Sequence, residues 1–230
     1  MLQDHGGTVN NVQTRSKPDG DMEELRKQLL LMGGMVEQMI FNAVESLVER
    51  DSVLATQVVA MDHDVNVLEM AIDEKCLEIL SMKKLVARDL RFISLSFKIV
   101  TDIERMGDKC ANIAKRTLML NDEAPLELLI DLPVMAQQVQ QMVKQALDSF
   151  VQVDEELAYK VLREDFKVNE MNRQNQETLL DFMQSNSSAV KRAMKLNYAC
   201  KSLERIADHA TNIAEMVIFL IRGKDIRHTS

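Results

Sequence analysis

Glu104, Asp108 and Asn112 follow one another at intervals of four, and Glu204, Asp208 and Asn212 repeat the arrangement one hundred residues later. Written out, Glu104-Arg105-Met106-Gly107-Asp108-Lys109-Cys110-Ala111-Asn112-Ile113-Ala114 returns as Glu204-Arg205-Ile206-Ala207-Asp208-His209-Ala210-Thr211-Asn212-Ile213-Ala214. Both stretches carry helical periodicity, which sends side chains four apart from one helix face as a ladder of oxygens. Two carboxylates at i and i+4 repel by roughly 0.2–0.5 kcal/mol on an exposed helix. A solvated acidic face would tolerate that, but its recurrence at matched places in two halves favours a neutralising cation. All-oxygen donors suit hard cations such as Mg²⁺, Ca²⁺, Mn²⁺ or oxidised iron, and bridging carboxylates make a multinuclear cluster chemically possible. Asp62 with Asn66, and Asp165 with Asn169, recur independently and are candidates to add oxygens from a second helix.

Other chemistries find less support. Di-iron bundle enzymes pair Glu with His three residues on, and none of His5, His63, His209 and His228 follows a Glu at that spacing. His209 is expected as an exposed helical residue, His63 as a local ion-pair partner of its neighbouring Asp62 and Asp64, and His5 and His228 fall near the chain ends. No nucleophile beside a base and no glycine-rich phosphate loop is present, so the reading is not an enzyme.

Six long helices must position the ladders. Helix 1 is expected from about Asp21, as its N-cap, to Arg50, interrupted by Gly33-Gly34, where close packing of a neighbouring helix or a kink would explain the two glycines. Asp51 suits the cap of helix 2, which reaches about Lys83, and helix 3 runs from about Val86 to Asn121. Helix 4 spans about 132–152 and helix 5 about 154–184; Ser185-Asn186-Ser187-Ser188 is a loop supplying the cap of helix 6, which ends near Arg222 with Gly223 as a left-handed C-cap. With an offset of 103, Met32, Val36, Met39, Ala43, Ser46 and Asp51 fall on Met135, Val139, Met142, Ala146, Ser149 and Asp154. The offset drops to 100 for helices 3 and 6, which places a three-residue deletion in a connecting loop. The expected architecture is all-α: two tandem three-helix bundles, 21–121 and 132–223, related by internal duplication. A 122–131 linker joins them, with a disordered tail at 1–20 and a short tail at 224–230.

Composition fits. Seven Gly and three Pro in 230 residues favour helices, and sixteen Met serve a core with only 4% aromatics. A net charge of −8 without a basic cluster disfavours nucleic acid. Cys76, Cys110 and Cys200 form no C-x-x-C pair and are expected as reduced, buried thiols of a cytoplasmic protein. No apolar run approaches the roughly 20 residues of a membrane span.

Taken together, the duplicated E-x-x-x-D phrases, Met32-Gly33-Gly34-Met35-Val36-Glu37, Ala87-Arg88-Asp89-Leu90-Arg91-Phe92-Ile93 and Gly223-Lys224-Asp225-Ile226-Arg227-His228 resemble the PhoU family, the phosphate-specific transport system accessory and regulatory proteins of bacteria. The resemblance covers about residues 21 to 229. It implies a cytoplasmic homodimer that binds metal through Glu104, Asp108, Glu204 and Asp208, with Asp62 and Asp165 as further contributors; it leaves iron, manganese, magnesium and zinc open. It also implies repression of the phosphate-starvation response and restraint of phosphate uptake. The partners would be the ATPase of a phosphate ABC transporter and a sensor histidine kinase, with membrane contact only through them. Ser188-Ala189-Val190-Lys191 replaces Arg88-Asp89-Leu90-Arg91 in the second half, so the two halves are not expected to contact partners equally. Arg88 and Arg91 are read either as ion-pair partners of nearby acids or as partner-binding residues. The competing readings are a metal-independent scaffold or oligomerisation module, and a metal-dependent phosphohydrolase.

Overall fold

Helical periodicity and scarce breakers produce six helices in the computed structural model, which describes residues 18–82, 85–126, 128 and 130–223. These are α1 (Pro18–Val48), α2 (Ser52–Leu80), α3 (Ala87–Asn121), α4 (Leu132–Gln152), α5 (Glu155–Ser185) and α6 (Val190–Arg222), with a 3₁₀ turn at Ser187–Ala189 before α6; there is no strand among the described residues. Of the expected 1–20 tail, residues 1–17, with His5, lie outside those residues, as does the 224–230 tail with His228; residues 18–20 are not tail but the first of α1. Within each half the three helices pack on one another, and across the halves α1 packs on α4 and α3 on α6. The buried side chains of both halves form one continuous core, running from Leu25 and Met39 through Ile103 and Met106 to Met142, Ile206 and Ile213.

The cross-half pairs run antiparallel. Gln140 Nε2 donates to the Glu37 carbonyl at 2.8 Å while Gly33, earlier on α1, lies against Leu147, later on α4. Likewise Asp102 meets His209, and Arg116, fourteen residues further along α3, stacks on Tyr198. Matched residues therefore exchange places across a pseudo-two-fold axis.

The duplication reaches the turns. Arg50 and Val153, 103 residues apart, both adopt left-handed backbone, φ 55° and φ 57°. After each, an aspartate N–H donates to a serine carbonyl: Asp51 to Ser46 at 2.9 Å and Asp154 to Ser149 at 2.8 Å. The Asp51 carboxylate then accepts from the N–H groups of Val53 and Leu54, and that of Asp154 from Leu157, capping α2 and α5 as their positions suggest. Gly223 ends α6 at φ 67°, the left-handed C-cap expected of it.

Other expectations need correction. α1 begins at Pro18, whose fixed φ suits a first helical position, so Asp21 is not its N-cap. Asp21 instead is buried and accepts from Lys75 Nζ of α2 at 2.6 Å. No side chain caps α6, because the 3₁₀ turn feeds directly into it. The two glycines of α1 divide in role within one continuous helix: a Cβ on Gly33 would stand 2.1 Å from Leu147 Cδ1, whereas one on Gly34 would meet nothing within 4 Å. The linker is held from both halves. Arg50 Nη2 donates to the carbonyls of Leu120, Asn121 and Glu123, Arg192 to those of Ala124 and Pro125, and Lys195 pairs with Glu123.

Candidate functional site

Asp62 begins a stripe on α2 that runs 62, 66, 69, 73, the i, i+4, i+7, i+11 spacing of one helix face. From that stripe Asp62 and Glu69 act on the Glu104–Asp108 ladder of α3, and Asp73 acts on Glu69 beside it. The close approach is visible at Gly107, where an added Cβ would meet Val65 at 3.5 Å and Asp62 Oδ1 at 3.6 Å. Burial, then Asp108, pushes the Asp62 carboxyl above its ordinary range, with Lys115 opposing. Burial, Asp108, Glu69 and Asp62 do the same to Glu104. Glu69 and Asp73 are also raised, chiefly by burial. The cleft between α2 and α3 thus gathers five carboxylates, three of which the ladder argument named. The two it missed, Glu69 and Asp73, carry the same four-residue spacing as the ladder itself.

The second half builds a poorer version between α5 and α6. Asp165 is raised by burial and by Asp208 and Glu204, although an Asn169 hydrogen bond lowers it. Burial and Glu204 raise Asp208. At the places of Glu69 and Asp73 stand the amides Asn172 and Gln176, which bond to each other at 3.2 Å. Lys201 forms an ion pair with Glu204. Three carboxylates and their amide neighbours therefore face one another here, so the two clefts are unequal in charge.

Each cleft contains unanswered oxygen. Asp62 Oδ1, Asn66 Oδ1 and Asp73 Oδ1 in the first, and Asp165 Oδ1 in the second, are buried without a hydrogen-bond partner. A buried acceptor left unmade costs about 1–3 kcal/mol, more when charged. The oxygens fit a hard cation in donor type. As placed, however, no group of three or more His, Cys, Asp or Glu side chains among the described residues is gathered closely enough to hold a metal ion.

The third rung of the α6 ladder leaves the site. Four residues advance a helix by about 400°, so each step drifts 40° and Asn212 lies some 80° round from Glu204. It lines a groove on the α3 side instead, with Lys98 and Arg105. His209 is likewise not the exposed residue expected: it is half-buried, and its Nδ1 lies 2.8 Å from Oδ1 of buried Asp102, locking α6 to α3. His63 is exposed and forms no ion pair with Asp62 or Asp64 among the described residues. Arg88 and Arg91 form no ion pair there either; the Arg91 guanidinium reaches within 3.8 Å of where a Cβ on Gly223 would stand. Cys76, Cys110 and Cys200 are buried and free, with burial pushing the Cys76 and Cys200 thiols up to about 12.

No described helix is long and apolar enough to cross a membrane. The PhoU domain family model matches residues 29–117 and 132–217, one copy per half. A phosphate-specific transport system accessory protein PhoU homolog of Pseudomonas aeruginosa is 39% identical over 211 residues, covering 91% of this chain and 87% of that one. The corresponding Escherichia coli K12 protein is 32% identical over 210 residues, 91% of this chain and 87% of that one. Among solved structures, PhoU from Pseudomonas aeruginosa superposes with a TM-score of 0.86 at 38% identity, over 90% of this chain and all of that one. The phosphate transport system regulatory protein PhoU from Streptococcus pneumoniae gives 0.82 at 25% identity over 91% and 99%.

Proposed function

This chain belongs to the PhoU family, and from that premise we propose that it is a metal-binding regulatory adaptor of phosphate transport rather than an enzyme. Its relatives' names supply the phosphate system; the adaptor reading adds negative regulation of the phosphate-starvation response and of phosphate uptake. In this reading a cytoplasmic homodimer couples the transporter's ATPase to a sensor histidine kinase through its helical surface.

The observation that carries the metal half is the pair of partnerless buried oxygens on Asp62 and Asp165, matched across the duplication and each set against a carboxylate ladder. Asp62, Glu104 and Asp108 would hold a hard cation in the first cleft, and Asp165, Glu204 and Asp208 one in the second. Iron, manganese, magnesium and zinc are the ions to test. A bound cation would supply charge neutralisation, and the residues' own part is to drop their mutual repulsion and draw α2 toward α3 and α5 toward α6.

Metal content of protein purified without chelator, compared with a variant in which Glu104, Asp108, Glu204 and Asp208 are all alanine, tests this half. Equal content in both defeats it. A deletion strain tests the regulatory half: starvation genes should be expressed in high phosphate, and their continued repression refutes the repressor role. Pulldown of the kinase and the transporter ATPase at two phosphate levels tests the coupling.

A metal-independent scaffold remains the second reading, favoured by the absence of a tightly gathered acidic trio among the described residues. It predicts a thermal midpoint unmoved by divalent ions, whereas a ligand that binds only the folded state raises it.

A further inference from the structure

The seam between α3 and α6 contains a groove of about 430 Å³ that the acidic clefts do not use. Its floor is Phe97 and Met216; Lys98 and Arg105 stand on one side, and Thr101 and Asn212 line the remainder. Lys98 and Arg105 are exposed, and neither forms an ion pair among the described residues. They are seven residues apart on one face of α3, about 10.5 Å along the axis. Asp102 also lines the groove, but its carboxylate is engaged by His209 at 2.8 Å, and the Thr101 hydroxyl donates to the Phe97 carbonyl at 3.1 Å. The donors left over are therefore an ammonium, a guanidinium and an amide, around an apolar floor.

The duplication provides an internal comparison. The pseudo-two-fold axis exchanges Lys98 with Tyr198 and Met216 with Arg116. At that equivalent place the Arg116 guanidinium lies 3.2 Å from the centre of the Tyr198 ring, so a flat ring beneath a cation fills the seam. In the groove neither plug residue is present. A ligand that brings its own ring, with anionic oxygens for Lys98 and Arg105, would restore what the other half builds from its own side chains.

We propose that the α3–α6 groove binds a small phosphorylated molecule carrying a flat ring, a nucleotide in chemical class. The ring lies over Phe97 and Met216, and the phosphates meet Lys98 and Arg105. The volume is within the 300–1,000 Å³ typical of small-ligand sites. Neither the acidic clefts nor their metal enters, so this inference and the adaptor reading stand or fall separately.

Calorimetric titration of the full chain with ADP, GDP and UDP, in chelator so that no cleft metal bridges, tests it. The expected result is saturable binding of at least one, tighter than about 1 mM, weakened about ten- to hundredfold by K98Q or R105Q. The swap K98Y/M216R copies the plug from the other half and should abolish binding while keeping the helical spectrum. If the swap does not fold, the two surface substitutions carry the comparison, with K27Q and K167Q as controls that leave affinity unchanged. No saturable binding of any of the three nucleotides overturns the proposal, as does binding that K98Q and R105Q leave intact. Inorganic phosphate binding as tightly as the nucleotides also overturns it, because the ring would then contribute nothing.

Discussion

Substituting alanine for Gly33 and for Gly34, one at a time, separates two effects that adjacent glycines usually confound. Both lie in the interior of α1, where alanine is favoured over glycine by about 0.8–1 kcal/mol. A Cβ on Gly34 meets nothing within 4 Å, so that gain should appear undiminished. For a chain of this length it corresponds to a rise in melting temperature of about 2–4 °C. A Cβ on Gly33 would stand 2.1 Å from Leu147 Cδ1, while Leu147 Cγ at 3.5 Å is at ordinary contact. Only the far end of the leucine must move, yet it lies in the buried α1–α4 contact, and such overpacking costs about 1–3 kcal/mol. Gly33→Ala should therefore be neutral to about 2 kcal/mol destabilising. In a Leu147→Ala background the obstruction is gone, and Gly33→Ala should stabilise by about as much as Gly34→Ala does in the parent. Urea unfolding of the five proteins, followed by far-UV circular dichroism, closes the cycle. Equal effects of the two glycine substitutions in the parent would refute the assignment of Gly33 to helix packing, as would a Gly33→Ala cost that survives removal of Leu147.

Three further outcomes are expected. Asp62, Glu104, Asp165 and Asp208 have carboxyls raised in the fold above the ordinary values of about 4 they take unfolded. The folded state thus binds protons first, and the metal-free protein should gain stability as pH falls from the raised values toward 4; a variant with all four as Asn or Gln should lack that gain in urea titrations at pH 7 and pH 5, and equal pH responses would contradict it. Asp102→Ala strands the half-buried His209 imidazole and should cost about 1–3 kcal/mol, visible as a lower urea midpoint; an unchanged midpoint would show that the pair does not hold the seam. Cys76, Cys110 and Cys200, buried and with raised thiols, should resist iodoacetamide at pH 8 until denaturant is added, and rapid labelling of the native chain would contradict the burial of these three helices' inner faces.

Local and periodic features of the fold were legible because they depend on near neighbours. The aspartate caps of α2 and α5, the Gly223 C-cap and the 103-residue repeat all follow from residues within a few positions of one another or from pattern alone. What escaped the sequence were partnerships between distant residues of mixed character. Asp21 has good cap propensity, but Lys75, fifty-four residues on, draws it inside the bundle. His209 looks like a surface residue until α3 brings Asp102 to it. Asn212 belongs to the ladder by spacing and departs from it by angular drift. Glu69 and Asp73 were within reach, since they reproduce the E-x-x-x-D spacing on α2. What the sequence could not give was the inequality of the clefts, which arises where Asn172 and Gln176 replace that pair.

The left-handed residues Arg50 and Val153 act as an indexing elbow. Asp62 follows its capping aspartate by eleven residues, and Asp165 follows its own by the same eleven. The angular phase of α2 against α3, and of α5 against α6, is therefore set at the turn, three helical turns before the acid is reached. One residue inserted between elbow and acid would swing the carboxylate about 100° away from the ladder while leaving the composition of the cleft untouched. An αL conformation at a β-branched residue such as Val153 is energetically unfavourable. Its retention in both halves places a cost at the turn in exchange for aim at the cleft. Sequence change in these turns should consequently be constrained in length more tightly than in residue type.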